Sequence, residues 1–547
     1  MNKIAIIIHR TNNAVCQKLL DSLSKLEIPQ GYDVEVMVFD NSASRANSYN
    51  EGMRQSNAKY KIYIDETGII INTRLLINIM NLFNTDSSIG IVGLYGSEMP
   101  IEGDFTASKN RYGLYGNSTD GKTLTFLMRG RNPIWHQDVH CIDSAFVATS
   151  QDIEWDENEN EVLLVAAQCC RFRLNGYHVS IPMQDIPWCV FARQSVYNAV
   201  IGSYALKIFF DRYLDIIQPL VSILITTYNQ PVFFEQALKS ALQQDYKNIE
   251  IIVGDDSTNT ATKDLMEHYT KKYSYIRYYY HNGPLGGQGL ENAKFVLNHA
   301  QGNFINYLFH DDLFMPKKIS TMMRYLAKDL NEEIGMVTSA RNMIDESGAV
   351  LGSINPWQPI EDTIIPGKEM SQKILISSQN YIGELTTVLM RKSLLKQQNG
   401  AYLMGCIYGV RDKANGDVAT WLDIGRQKNC MFVKDVLSCF RRHSGQNTYN
   451  PLIIINSVIE WLNYITVMYN NNALTESELA RYYDTWYLVH KNNIAKISNI
   501  ASREKIDIRR KLQYCVSITK LLEAKKYEQV KKMSLDYINN NYEIIGR

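Results

Sequence analysis

Short apolar runs that end in polar or acidic turns alternate with stretches of helical periodicity through most of this chain. Lys3–Ile8 (KIAIII) is such a run, followed by a polar turn at Thr11–Asn13 and by Leu19, Leu20, Leu23 and Leu26 at helical spacing. Val34–Phe39 runs into Asp40-Asn41-Ser42, and Tyr60–Ile64 runs into Asp65-Glu66-Thr67. Strand, loop and helix in this order predict a parallel α/β sheet.

The same order returns further along. Val221–Thr226 (VSILIT) precedes a helical stretch through Phe233, Ala237 and Leu242, then Ile249–Val253 leads into Asp255-Asp256-Ser257, and Phe304–Leu308 leads into His310-Asp311-Asp312. The chain therefore contains an internal repeat of one α/β unit. Asp40 and Asp65 stand 25 residues apart and Asp256 and Asp311 stand 55 apart, so the first copy lacks about a helix and a strand. Val196–Ile217 is apolar at helical spacing and meets Pro219, which predicts a connecting helix. After Pro451, apolar residues recur at Ile453, Val458, Trp461, Leu462 and Ile465, which predicts an all-helical region. The expected organisation is an α/β fold of two Rossmann-like parallel-sheet domains, 1–195 and 219–450, joined by a helix over 196–218 and followed by helices over 451–547. A chain of 547 residues is too long for one ordinary core.

Composition removes several functions. Lys plus Arg and Asp plus Glu each number 57, so no basic footprint exists for a nucleic-acid partner, and any phosphate is held locally. Nine cysteines without C-x-x-C spacing, and no secretory signal, predict buried thiols in the cytoplasm. No run approaches eighteen apolar residues, so no transmembrane segment is expected, while peripheral membrane contact stays open. The 34 tyrosines are explained first by packing and second by sugar stacking.

Ligands of open parallel sheets sit beyond the carboxyl ends of the strands, which is where the acidic turns fall. In the second copy the Asp255-Asp256-Ser257-Thr258 turn lies beside Thr226-Thr227-Tyr228-Asn229. A carboxylate there can accept from a uracil imide and Tyr228 can pack on the base, although Asp and Ser after a strand also serve as helix caps. Asp311 and Asp312 place two like charges directly after an apolar strand, an arrangement that a cation or basic group would neutralise. A hard divalent cation holding a diphosphate takes one or two such carboxylates. Glycines 283, 286, 287 and 289 could let the backbone approach a nucleotide, or form a flexible turn.

Taken in order, VSILITTYN, IIVGDDST, NGPLGGQGLEN and YLFHDDLFMPKK resemble the family 2 glycosyltransferases of GT-A fold, over Leu220 to Asn450. The resemblance implies a nucleotide diphosphate sugar, UDP first among the carriers, held through Thr226, Tyr228, Asn229, Asp255, Asp256 and Asn292. It implies Mn²⁺ or Mg²⁺ at Asp311 and Asp312, with His443 of Arg441-Arg442-His443 completing the metal shell and Arg442 facing the diphosphate. Where the family reads Asp-x-Asp-Asp, this chain has Phe309 at the first acidic position. The family's catalytic base at the start of a helix is matched by Asp417 in GDVATW, without the usual preceding Glu, and Glu384 in YIGE is the second candidate. The implied reaction is a single inverting displacement by a hydroxyl of a glycan or protein acceptor, and relatives of this kind serve bacterial surface polysaccharide or protein glycosylation.

The first copy resembles the glycosyltransferase-like domains that precede family 2 domains, but Val162–Ala166 (VLLVA) stands where those relatives carry a polar Trp-His-Phe-Tyr-Asp run. Five apolar residues neither bind a metal nor move a proton, so this domain is expected to be degenerate and kept for packing, acceptor docking or partner contact. The helical region offers a surface for homo-oligomers. Two other functions compete: a sugar nucleotidyltransferase, whose basic Gly-rich loop after the first strand is missing at Thr226–Pro231, and a noncatalytic nucleotide-sugar or carbohydrate scaffold. Sugar and acceptor specificity would lie in loops such as 355–368 and 401–415.

Overall fold

The computed structural model describes residues 2–40, 43–118, 120, 122–397, 400–443, 450–504 and 508–545. Asn41 and Ser42 of the first acidic turn lie outside the described residues. The chain divides into two compact units, Met1–Gln218 and Pro219–Arg547.

In the first unit a seven-stranded sheet runs in the order 32–40, 2–10, 60–64, 146–149, 89–92, 178–182, 136–139. The first three strands are parallel. Both faces are covered, because alternation sends Ile4, Ile6 and Ile8 into one core and Ala5 and Ile7 into another. Helix Asn13–Leu23 starts where the Asn12 side chain accepts from Val15 N, and it buries Cys16, Leu19 and Leu23. The sheet is mixed and not wholly parallel: Asp65 N donates to Ala145 O, which holds residue 145 at the strand-end edge, so Phe146–Thr149 has to run back antiparallel. The expected connecting helix is broken into a 3-10 turn at Val196–Asn198 and helices Ser203–Arg212 and Leu214–Ile217. Its apolar residues Val196, Tyr197, Phe209, Phe210, Tyr213 and Ile217 belong to the core of the first unit.

The second unit has a ten-stranded sheet with the main order 276–280, 249–255, 221–227, 304–309, 389–391, 334–344, 429–441, 313–314. Strands Val221–Thr227, Ile249–Asp255, Ile276–Tyr280 and Phe304–Phe309 are parallel, and Leu389–Arg391 runs against them. Between Asp256 and the strand that leads to Asp311 lie helix Ala261–Lys272, strand Ile276–Tyr280 and helix Leu290–His299, whereas among the described residues helix Arg45–Gln55 alone lies between Asp40 and the strand that leads to Asp65. That is the helix and strand by which the two copies differ. Strand Asn429–Arg441 runs parallel to Ile334–Ile344, which brings its carboxyl end, and therefore residues 441–443, to the same edge as Asp311.

Helices Pro451–Asn470, Glu476–Glu504, Arg509–Glu523 and Tyr527–Asn541 share one core with this sheet, with Ile455, Ile459, Leu462 and Trp486 in the same cluster as Trp421 and Ile424. Among the described residues, Pro451–Asn470 is long and apolar enough to cross a membrane, with mean hydropathy 1.4, but 72% of that window is buried in the fold and Glu460 sits in its middle. It is a core helix. All nine cysteines are buried and free.

Candidate active site

The loops after the first two strands of the second unit are tied to each other by Asn229. In a left-handed backbone conformation (φ 50°), its N–H donates to Ser257 Oγ at 2.9 Å, its Nδ2 donates to Thr258 Oγ1 at 3.1 Å, and its Oδ1 accepts from Thr258 N at 3.0 Å and Asn259 Nδ2 at 2.9 Å. Asn229 therefore ties the two loops together through its backbone N–H, its side-chain oxygen and one of its two amide hydrogens. The structure also separates Asp255 from Asp256. Asp255 accepts from Ser257 N at 2.9 Å and Tyr278 OH at 2.6 Å, so both of its carboxylate oxygens have partners within the fold.

Asp256 is the available acid. Its Oδ1, Thr227 Oγ1 and Asn292 Oδ1 are buried polar atoms without a hydrogen-bond partner among the described residues. Leaving such atoms unpaired costs about 1–3 kcal/mol each, which a ligand would recover. Burial pushes the Asp256 carboxyl above its ordinary range, opposed by the Leu285 amide and the charge of His281. Asn292 Nδ2 donates to Gly254 O at 2.9 Å, an approach that needs glycine, since a Cβ at 254 would lie 2.0 Å from Asn292 Oδ1. Asn282, Gly283, Gly286, Gly287, Gln288 and Gly289 all take positive φ, and the space around a Cβ at 283, 286 and 289 is open. Tyr228 is 47% exposed, as a stacking platform requires. Thr226 contributes its carbonyl, 3.3 Å from His310 Nδ1, and burial lowers the His310 imidazole below its ordinary value.

At the end of Phe304–Phe309 the two aspartates also part. Asp312 is buried, its Oδ2 accepting from Thr386 Oγ1 at 2.6 Å and its Oδ1 from Arg441 N at 3.0 Å. Burial, and then the charge of Asp311, hold its carboxyl well above the usual range. Each Asp312 oxygen thus has a partner within the fold, which leaves Asp311 the more accessible of the two carboxylates. Asp311 Oδ2 lies 3.0 Å from His443 Nε2. The pair is positioned by Arg441, fully buried and stacked 4.7 Å from the Phe233 ring, whose guanidinium donates to Asp311 O at 2.7 Å, to Asp345 O and Glu346 O, and to Gln236 Oε1. The His443 ring packs 5.3 Å from the same phenyl group. Arg442 between them is exposed, with its N–H donating to Ile344 O. Among the described residues no three His, Cys, Asp or Glu side chains form a ready metal cluster. The carboxylate oxygen and imidazole nitrogen fit a hard divalent cation that takes its remaining ligands from phosphate and water.

A further acid singled out by the sequence, Asp417, opens helix Gly416–Gly425. Its Oδ1 accepts from Val418 N and its Oδ2 from Asn380 Nδ2, both at 2.8 Å. Burial pushes its carboxyl up to about 6, with the charge of Glu384 adding to burial and the Val418 amide and Asn380 opposing it. Glu384 stands close by but is paired with Arg341, Nε to Oε2 2.6 Å, and is a quarter exposed. The loop that carries it is pinned to the helix by Trp421 Nε1, which donates to Gly383 O at 3.0 Å.

Comparison with known proteins gives the family of the chain. Residues 5–213 match a glycosyltransferase-like family and residues 222–396 match glycosyl transferase family 2. An uncharacterised glycosyltransferase of Rickettsia prowazekii is 30% identical over 243 residues, 44% of this chain and 69% of that protein. The chain belongs to glycosyl transferase family 2. It covers 44% of a longer relative from Rickettsia felis, at 28% identity. A Campylobacter jejuni protein named GalNAc(5)-diNAcBac-PP-undecaprenol β-1,3-glucosyltransferase is 34% identical over 110 residues, 19% of this chain and 34% of that one. Among solved structures, Staphylococcus aureus TarS 1–349 in complex with UDP-GlcNAc aligns with TM-score 0.40 and 16% identity over 58% of this chain and 92% of that one.

The family 2 unit also relies on residues that motif reading passes over. Glu460, from the buried face of Pro451–Asn470, accepts from Lys413 N at 2.7 Å, Ala414 N at 3.1 Å and Asn415 N at 2.8 Å, the three amides that precede the Asp417 helix. Burial raises its carboxyl to about 7 against the pull of those amides. Tyr464, one turn on, hydrogen-bonds Asp412. The sequence did carry one signal for Glu460: an acid in the middle of a long apolar helix has to be satisfied from inside the fold. Asn380, Thr386 and Arg341 carry no such signal.

Proposed function

We propose that the second unit transfers a sugar from a UDP-sugar to a hydroxyl of a glycan acceptor, with inversion at the anomeric carbon. The observation that carries this reading is the approach of Asp311 and His443, 132 residues apart in sequence, to 3.0 Å at the strand-end edge that also holds Asp256, whose Oδ1 has no partner among the described residues. In this reading the base and ribose lie against Tyr228, Asp256, Thr227 and Asn292, and Arg442 faces the diphosphate. Asp311 and His443 would hold Mn²⁺ or Mg²⁺, which when bound offsets charge growing on the leaving diphosphate.

Asp417 is assigned as the base. The acceptor oxygen attacks the anomeric carbon, the bond from that carbon to the β-phosphate oxygen breaks, UDP leaves with the bonding pair, and the hydroxyl proton passes to the Asp417 carboxylate. A carboxyl titrating near 6 is ionised at neutral pH and more basic than an exposed aspartate, which suits that task. Glu384, ion-paired with Arg341, is assigned to orienting the acceptor. The name of the Campylobacter relative, a glucosyltransferase acting on an undecaprenol-linked glycan, supports a glycan over a protein acceptor. The test is release of UDP from a panel of UDP-sugars with Mn²⁺ and with chelator. Metal-dependent release is expected; binding without release would favour a noncatalytic scaffold, and pyrophosphate-dependent formation of a nucleoside triphosphate would favour a nucleotidyltransferase.

A further inference from the structure

The first unit contains a cavity of about 500 Å³ that the proposed reaction does not use. Its walls come from the turn after Gly68–Ile70, helix Leu75–Thr85, Trp135 and the segment 182–188. Backbone bonds fix these walls to each other. Ile71 N and Asn72 N both donate to Trp188 O, at 2.9 and 3.0 Å, Met183 N donates to Trp135 O at 2.8 Å, and Gln184 N donates to Asn132 Oδ1 at 3.0 Å. The cavity is thus preformed, and its size is within the roughly 300–1,000 Å³ of small-molecule sites.

Its lining has two kinds of surface. Trp135 is 50% exposed and Ile186 58%, so an indole and an aliphatic side chain are open to the cavity. Asn78 and Asn81, three residues apart, share one face of their helix and both line the cavity. The charged lining residues, Arg74 and Asp185, are one of each sign, so the cavity has no excess positive charge with which to hold a diphosphate. A pyranose matches both surfaces: its C–H face packs on an indole, and its hydroxyls pair with planar amides that both donate and accept. We infer that this cavity binds a neutral glycan, with Trp135 beneath a sugar ring and Asn78 and Asn81 on its hydroxyls. Identifying that glycan as the acceptor rests on the transferase reading; the binding itself does not.

The test is calorimetric titration of the full chain, without donor, using neutral oligosaccharides of glucose, galactose and N-acetylhexosamine. Binding of at least one probe is expected. Trp135→Ala should weaken it at least about tenfold and Asn78→Ala severalfold, with the melting temperature and Mn²⁺-UDP affinity unchanged. No binding of any probe at millimolar concentration overturns the inference. So does binding that survives Trp135→Ala and is lost in Asp417→Asn, which would locate the glycan in the second unit. Trp135-dependent binding by a chain that releases no UDP would sink the transferase reading and leave this one standing.

Discussion

At the end of Tyr60–Ile64 in the first unit, Asp65 pairs with Arg193 at 2.5 Å and accepts from Thr67 N and Oγ1. At the equivalent place in the second unit, Asp311 meets the imidazole of His443. Burial works against the Asp65 carboxylate, but Arg193 and Thr67 outweigh it and hold the carboxyl below its ordinary range. The neighbours follow suit: Glu66 accepts from the Thr11 and Asn12 amides, both at 2.9 Å, and Asp40 is bound by Arg10, which holds its carboxyl low. A carboxylate that faces a guanidinium is already neutralised and has little to offer a cation, whereas an imidazole is itself a metal ligand. The same sheet edge, repeated, is thus closed on itself in one unit and left with unpaired acceptors in the other.

The strongest way to break this contrast is Asp311→Ala, for which transfer should fall about a thousandfold or more and metal-dependent UDP binding should vanish, with melting shifted by a few degrees at most. Retained turnover would remove the metal assignment. Asp417→Asn should cost turnover about a hundredfold or more while UDP-sugar affinity persists, as single-turnover and binding assays would show. If Glu384→Gln behaves that way and Asp417→Asn does not, the two roles exchange. In the intact enzyme kcat/KM should rise with pH through about 6 and then level off, because the base works only when ionised; a profile falling across that range contradicts Asp417 as base. Glu460→Ala leaves three backbone amides unpaired beside the Asp417 helix, at about 1–3 kcal/mol each, and should lower both the melting temperature and kcat, the latter about tenfold, with donor KM little changed. The smallest effect belongs to the first unit: Asp65→Ala should leave turnover within about threefold, since Asp65 is spent on Arg193.

The architecture was legible because strands buried on both faces read as continuous apolar runs, and because each run in the repeat ends in an acidic turn. Antiparallel strands such as Leu389–Arg391 were not, since their direction is set by the preceding loop returning from the strand-end edge, which no periodicity records. Within the site, motif reading found the neighbourhoods but did not distinguish members of a pair. Asp255 and Asp256, or Asp311 and Asp312, are adjacent in sequence and differ in their partners, because successive residues point to different sides and groups such as Tyr278 and Thr386 come from elsewhere in the chain. Glu460 reaches the amides before the Asp417 helix from a region whose periodicity reads as helical, and only its charge within an apolar helix marks it. In the first unit the apolar run Val162–Ala166 is visible in the sequence, while the pairing of Asp65 with Arg193, 128 residues away, lies beyond any motif.

The central claim is that one of the two repeated edges works. Calorimetric titration of the full chain with UDP in the presence of Mn²⁺ tests it most directly. One UDP per chain, lost in Asp311→Ala and unchanged in Asp65→Ala, is the predicted result; two UDP per chain, or binding that fails in Asp65→Ala and survives in Asp311→Ala, would contradict it.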